Sequence, residues 1–232
     1  MDLLKNIESG KIQLPDFQRG WVWDDQRIRA LIASLMNSYP IGAVMFLDYG
    51  NENVRFQCRV IEGAPSADAP PEQLILDGQQ RLTAIYDAMF SKNPVRTRTE
   101  YGKDIECYYY IDIAKALDSK FEMIDAIISM PKDKIGAPNF SKRPALDLRA
   151  SENEYQQKMF PLNIIFDNVK LRRWQRGYDK FYEGNDAAQD LCTEFEEIIT
   201  KLVKYQLPVI SMEKETPAEA ICQVFENVNT GG

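Results

Sequence analysis

Leu74, Ile75 and Leu76 form an unbroken apolar run that stops at Asp77-Gly78, and apolar residues return at Leu82, Ile85, Tyr86 and Met89. The first pattern predicts a buried strand and the second a helix, so the chain turns from strand into helix over 77–81. Upstream, Leu3, Leu4 and Ile7 predict a short helix stopped at Gly10, and 11–14 alternates as a strand until Pro15. Ile28, Leu31, Ile32, Leu35, Met36 and Tyr39 share one helical face, with Asp24 placed to cap it and Pro40 to end it. Residues 41–47 read as a buried strand, 54–61 as an alternating one, and the Pro- and Ala-rich stretch 65–71 as a loop.

Beyond the central helix, a polar loop with Arg96, Arg98 and Lys103 leads to a strand over 105–111. Asp112 can cap a helix that places Ile113, Leu117, Phe121, Ile124 and Ile128 on one face. From 131 to 154 the period is lost, which predicts a long exposed excursion. A short strand over 161–166 precedes two helices, one carrying Trp174, Tyr178 and Phe181, the other Leu191, Phe195, Ile198, Leu202 and Tyr205. Pro208 marks 207–212 as an edge strand. Thr216-Pro217-Ala218-Glu219 then starts a helix bearing Ile221, Val224, Phe225 and Val228. The expected class is α+β, a mixed α/β arrangement.

Composition narrows the chemistry. Of 232 residues 44% are hydrophobic, enough for a real core, and no apolar run is long enough to span a bilayer. The start has no signal-peptide layout, and the four scattered cysteines read as buried thiols in a reducing compartment, so a cytoplasmic protein is expected. There is no histidine, which excludes Ser-His-Asp and Cys-His triads and His-centred nuclease chemistry from this segment. A net charge of -7 argues against a generic nucleic-acid binder but leaves room for a local basic face.

Asp77 and Gln80 have the spacing of a capping box, and Gly78 permits a tight turn that leaves no side chain over the first helical amides. Such a corner can hold an anion, and Arg81, one turn in, carries a fork that fits phosphate oxygens. The alternative for Asp77 is a helix cap and nothing more. Gln18-Arg19, set between aromatics, resembles a pocket wall, against the plainer reading of a surface salt bridge. Basic residues in the excursion, Arg143 and Arg149 among them, and Arg172, Arg173 and Arg176 on the following helix are candidate DNA contacts, against a solvated surface.

The segments LPDFQR, SYPIG, LILDGQQRLTAIY and FENVNTGG together resemble the N-terminal domain of GmrSD-type modification-dependent restriction enzymes, the domain-of-unknown-function 262 family also found in phosphorothioate-sensing SspE proteins. That family is similar to the ParB and sulfiredoxin superfamily, whose phosphate loop G-x-x-R fits Gly78-Gln79-Gln80-Arg81. The resemblance implies a ParB-like core with a mixed sheet over 1–112 and 207–232, and a helical insertion over 113–206. It implies binding, and hydrolysis, of a nucleoside triphosphate with Mg2+. Gln18, Arg19, Gly78, Arg81 and Asn229 would bind nucleotide, and Asp77 or Glu226 would hold Mg2+ or orient the attacking water. Gln79 or Gln80 would position that water or polarise a phosphoryl oxygen. Sulfiredoxin activity is excluded, because its loop needs a cysteine. DNA, modified or not, is the implied target. Cutting would fall to an HNH nuclease domain in a further C-terminal part or a separate chain, and the stop at 229–232 fits a chain that continues. The alternative function is a switch that binds nucleotide or DNA without turnover.

Overall fold

The computed structural model describes residues 2–51, 56–67, 69–141 and 144–230, with backbone only for 225–230. By its contacts the chain forms two compact units, one of residues 1–21, 42–86 and 206–232, the other of 22–41 and 87–205. This division differs from the expected core and insertion at 22–41 and 87–112. The class is α+β with mixed sheets.

In the first unit, helix α1 (Asp2–Glu8) buries Leu4 and Ile7 and gives way at Gly10. A mixed sheet follows, built from β1 (Ile12–Pro15), β2 (Val44–Asp48), β3 (Cys58–Arg59), β4 (Gln73–Asp77) and β11 (Val209–Met212) in the order β11-β2-β4-β1-β3. β4 pairs parallel to β1 and antiparallel to β2, which explains its three consecutive buried residues Leu74, Ile75 and Leu76. β11 lies on the edge as Pro208 requires, and runs parallel to β2. The alternating strand expected over 54–61 shrinks to Cys58–Arg59, with Val54 outside the described residues. Helix α3 (Gln79–Met89) leaves the end of β4, and α9 (Ala218–Thr230) packs against β4 through Ile221, which contacts the cluster of Leu47 and Leu76.

In the second unit, α2 (Asp25–Met36) is capped by Asp24, whose carboxylate accepts from the Arg27 amide. The helix stops earlier than its apolar spacing predicts. Asn37 caps it and Ser38 adopts φ +56, so Tyr39 leaves the helical face and is 59% exposed. The sheet here joins β5 (Val95–Arg98), β6 (Asp104–Asp112), β7 (Ile127–Pro131) and β10 (Met159–Pro161), with the long β6 at its centre.

Two expectations fail in this unit. The polar loop at Arg96 and Arg98 is the strand β5, which buries Val95 and Thr97 and turns both arginines outward. The single helix from Asp112 to Ile128 is α4 (Ile113–Leu117), then α5 (Met123–Ala126), then strand β7. Asp112 does cap α4, accepting from the Lys115 amide. The excursion over 131–154 is tied down by a two-strand pairing of β8 (Ile135–Gly136) with β9 (Leu146–Asp147) and by α6 (Ser151–Gln156). The strand expected over 161–166 lies earlier, as β10.

Helices α7 (Asn168–Phe181) and α8 (Asp186–Val203) follow as expected. Phe160 of β10 meets Trp174 of α7 edge-on at 5.1 Å and Phe195 of α8 at 5.5 Å, so both helices rest on one aromatic core. Among the described residues no helix is long and apolar enough to cross a membrane.

Candidate functional site

The corner between β4 and α3 is built by two glycines and an ion pair. Gly78 has φ +85, and its carbonyl accepts the first helical bond from Leu82, which makes it the N-cap residue of α3. The N-cap has no side chain, so the capping box expected between Asp77 and Gln80 does not form. Asp77 ends β4, and its Oδ2 instead accepts from Arg81 Nη2 at 3.1 Å, one helical turn ahead.

The guanidinium of Arg81 lies against backbone from two directions. A Cβ on Gly42 (φ +85) would sit 2.4 Å from Arg81 Nη1. One on Gly78 would sit 3.2 Å from Nη2 and 2.6 Å from Val44 Cγ1. Glycine at 42 leaves room for the fork, and glycine at 78 leaves room chiefly for Val44. The side chain of Arg81 is 19% exposed and that of Asp77 33%, so the pair is held yet reachable from solvent.

Two glutamines hold the neighbouring loop. Strand β1 ends at Pro15, and beyond it the β4 carbonyls of Ile75 and Leu76 accept from Gln18 Nε2 at 2.6 and 3.0 Å. Gln18 thus replaces a missing strand partner with a side-chain amide, which spends its donors inside the fold. Gln80 is buried and donates to the Gly20 carbonyl at 2.9 Å. Arg59 Nη2 donates to the carbonyls of Gln18 and Arg19, leaving the Arg19 side chain exposed. Gln79 is half-buried, and its carbonyl takes the Thr83 hydroxyl. Gly42 and Arg59 carry no signal in the sequence that marks them as supports of this corner, beyond a glycine inside an apolar run.

The residues present fit a triphosphate with Mg2+ in part. Arg81 and the amides after Gly78 suit phosphate oxygens, and Mg2+ is ordinarily held by one or two carboxylates together with phosphates and water, a role Asp77 can fill. Among the described residues no cluster of three His, Cys, Asp or Glu side chains could hold a metal. Glu226 and Asn229 fall on α9, but their side chains lie outside the described residues.

The basic candidates separate. Arg149 is held by Asp147 through two bonds of 2.7 and 3.0 Å, which neutralises it. Arg143 lies outside the described residues. Arg172, Arg173 and Arg176 are exposed on α7, opposite the buried Trp174 and Tyr178.

The model of the N-terminal domain of the GmrSD restriction endonuclease matches residues 1–232. An uncharacterized protein of Methanocaldococcus jannaschii is 26% identical over 243 residues, covering the whole of this chain and 38% of that protein. The chain thus spans well under half the length of that relative. With its family model matched from end to end, the chain belongs to the GmrSD restriction endonuclease N-terminal domain family.

Proposed function

We propose that this domain binds a nucleoside triphosphate with Mg2+ at the β4–α3 corner and hydrolyses it as the regulatory part of a modification-dependent restriction or anti-phage defence endonuclease. The observation that carries the reading is the Arg81 fork, lodged against Gly42 and Gly78 and fixed by Asp77 at the mouth of a helix. A guanidinium so held is pre-organised, so little side-chain entropy is lost when an anion arrives.

Arg81, the amides following Gly78 and the exposed Arg19 would hold the phosphates, and Asp77 the metal. The bound triphosphate and Mg2+ supply an electrophilic phosphorus and a leaving group whose charge needs stabilising. Arg81 supplies positive charge beside that group. Gln79, half-buried on the first turn, orients water there through its amide. Gln18 and Gln80 act as positioning residues, because their amides fix the loop that carries Arg19. Asp77 changes partner in this account, from Arg81 towards the metal.

One observation favours the alternative of a switch without turnover. The Asp77 carboxylate is already engaged by Arg81, so it is not free to orient an attacking water. DNA is the proposed target of the whole protein, with Arg172, Arg173 and Arg176 as the contact in this domain. Cutting is assigned to an HNH domain outside this chain.

Calorimetry with the common ribonucleoside triphosphates and Mg2+, run beside a phosphate-release assay with and without DNA, tests the reading. Arg81→Ala should weaken nucleotide binding about 30- to 1000-fold, the equivalent of about 2–4 kcal/mol for a lost charge-assisted bidentate contact. Arg81→Lys should recover only part of it. Binding without phosphate release would leave the switch, and unchanged affinity per folded molecule in Arg81→Ala would remove the phosphate site.

A further inference from the structure

Helices α7 and α8 each carry a charged outer face, and the two faces have opposite sign. On α7, Arg172, Arg173, Arg176 and Lys180 fall on one side and are exposed, with Val169, 68% exposed, at the start of the same side. On α8, Asp186, Asp190, Glu194 and Glu197 recur at i, i+4, i+8 and i+11 and are exposed, with Lys201 following on that side. Among the described residues none of these eight charged groups enters an ion pair. The stripes run about 12 and 17 Å at 1.5 Å per residue, four charges of one sign facing four of the other.

Their placement is fixed by the core beneath. Trp174 and Phe195 both contact Phe160, and Gln175 of α7 donates to Glu196 of α8 at 2.8 Å. The two helices therefore rest on one aromatic core, with each stripe opposite its own buried residues. A polyanion approaching the α7 arginines also meets the α8 carboxylates, whereas a partner with the same two stripes in reverse meets complementary charge on both.

We propose that the outer faces of α7 and α8 form a self-complementary docking surface for a second copy of this chain, with the α7 arginines of each copy against the α8 carboxylates of the other. A two-fold arrangement makes the contact twice, as an isologous interface requires. Two helix faces of this length bury less than the roughly 800 Å² per partner of a stable interface, so the association is weak and salt-sensitive. A copy seated there and DNA exclude each other on α7. The inference uses the face given above to DNA but does not depend on that assignment.

Sedimentation velocity at about 20 mM and about 300 mM salt, bracketing long and short screening lengths, reads the association directly. The wild type should self-associate with rising concentration in low salt and be monomeric in high salt. The variants Arg172→Glu/Arg173→Glu/Arg176→Glu and Asp186→Lys/Asp190→Lys/Glu194→Lys should each associate at least tenfold more weakly. Their equimolar mixture should recover wild-type association, because both contacts of the mixed pair are again opposite in sign. The milder pair Arg176→Glu and Asp190→Lys gives the same mixing test if a triple variant does not fold. A mixture no tighter than its components, or a wild type monomeric in low salt, overturns the proposal. So does loss of DNA affinity in the arginine variant with no wild-type association to lose, since the face would then serve DNA alone.

Discussion

Replacing Gly42 with alanine moves Arg81 without deleting it, which isolates the geometry on which the nucleotide reading rests. The added Cβ would lie 2.4 Å from Nη1, and ordinary contact begins at 3.4 Å, so the guanidinium must retreat by 3.4 − 2.4 = 1.0 Å. That retreat displaces the fork whose other nitrogen, Nη2, pairs with Asp77 at 3.1 Å, and so disturbs the ion pair. The alanine also adopts φ +85, which costs about 1–2 kcal/mol. With the partly exposed ion pair worth up to about 1 kcal/mol, stability in urea should fall by about 1–3 kcal/mol. Nucleotide affinity should fall further. A misplaced fork loses a charge-assisted bond worth about 1.5–3 kcal/mol, or about 10- to 140-fold. Gly50→Ala is the control: its φ is +98, but a Cβ there meets nothing within 4 Å, so it carries the strain without the displacement. Calorimetry with triphosphate and Mg2+, corrected for folded fraction, compares the two. If Gly42→Ala binds as tightly per folded molecule as Gly50→Ala, the position of Arg81 does not matter and the reasoning fails.

Local signals were legible in the sequence, and contacts between distant segments were not. Asp24 and Asp112 were readable as caps because an N-cap bond reaches only three residues ahead. The relation of Asp77 to Arg81 was within reach too, being one helical turn, although its form is an ion pair and not a cap. β5 does not read as a strand because its outward residues are Arg96 and Arg98, and only its pairing with β6 buries Val95 and Thr97. β7 reads as part of a helix in the sequence because Ile124 and Ile128 happen to continue the spacing of α4. Four buried residues paired to β6 outweigh that pattern, as tertiary context does for short apolar runs. In the sequence Gln18 reads as part of a pocket wall, whereas its amide stands in for the strand that Pro15 interrupts. Gly42 and Arg59 support the corner from segments remote in sequence, and no periodicity carries that information.

The remaining predictions bear on the loop, on DNA and on a buried acid. Gln18→Ala should cost about 1–3 kcal/mol in urea unfolding by leaving the Ile75 and Leu76 carbonyls unpaired, and should weaken nucleotide binding per folded molecule less than Arg81→Ala does, through the loosened Arg19 loop; a loss as large as that of Arg81→Ala would make it a ligand. In salt high enough to keep the protein monomeric, each of Arg172→Ala, Arg173→Ala and Arg176→Ala should weaken DNA binding about equally on all sequences and lower the salt slope by about one, while Arg149→Ala, already neutralised by Asp147, should change neither. Glu154 is buried beneath α7, where it accepts from Trp174 Nε1 at 3.0 Å, and burial raises its pKa to about 7 despite that bond and nearby Lys134. An acid with a raised folded pKa favours the folded state fully below its unfolded value of 4.5, and that favour is lost as pH rises through 7. The loss is about 3 kcal/mol over that window. Glu154→Gln keeps an acceptor for Trp174 and cannot ionise, so its melting temperature should be flat between pH 4.5 and pH 7 in this contribution and higher than wild type at pH 8. A wild type and variant that lose stability in parallel across that range would show that Glu154 is solvated and that the pH dependence arises elsewhere.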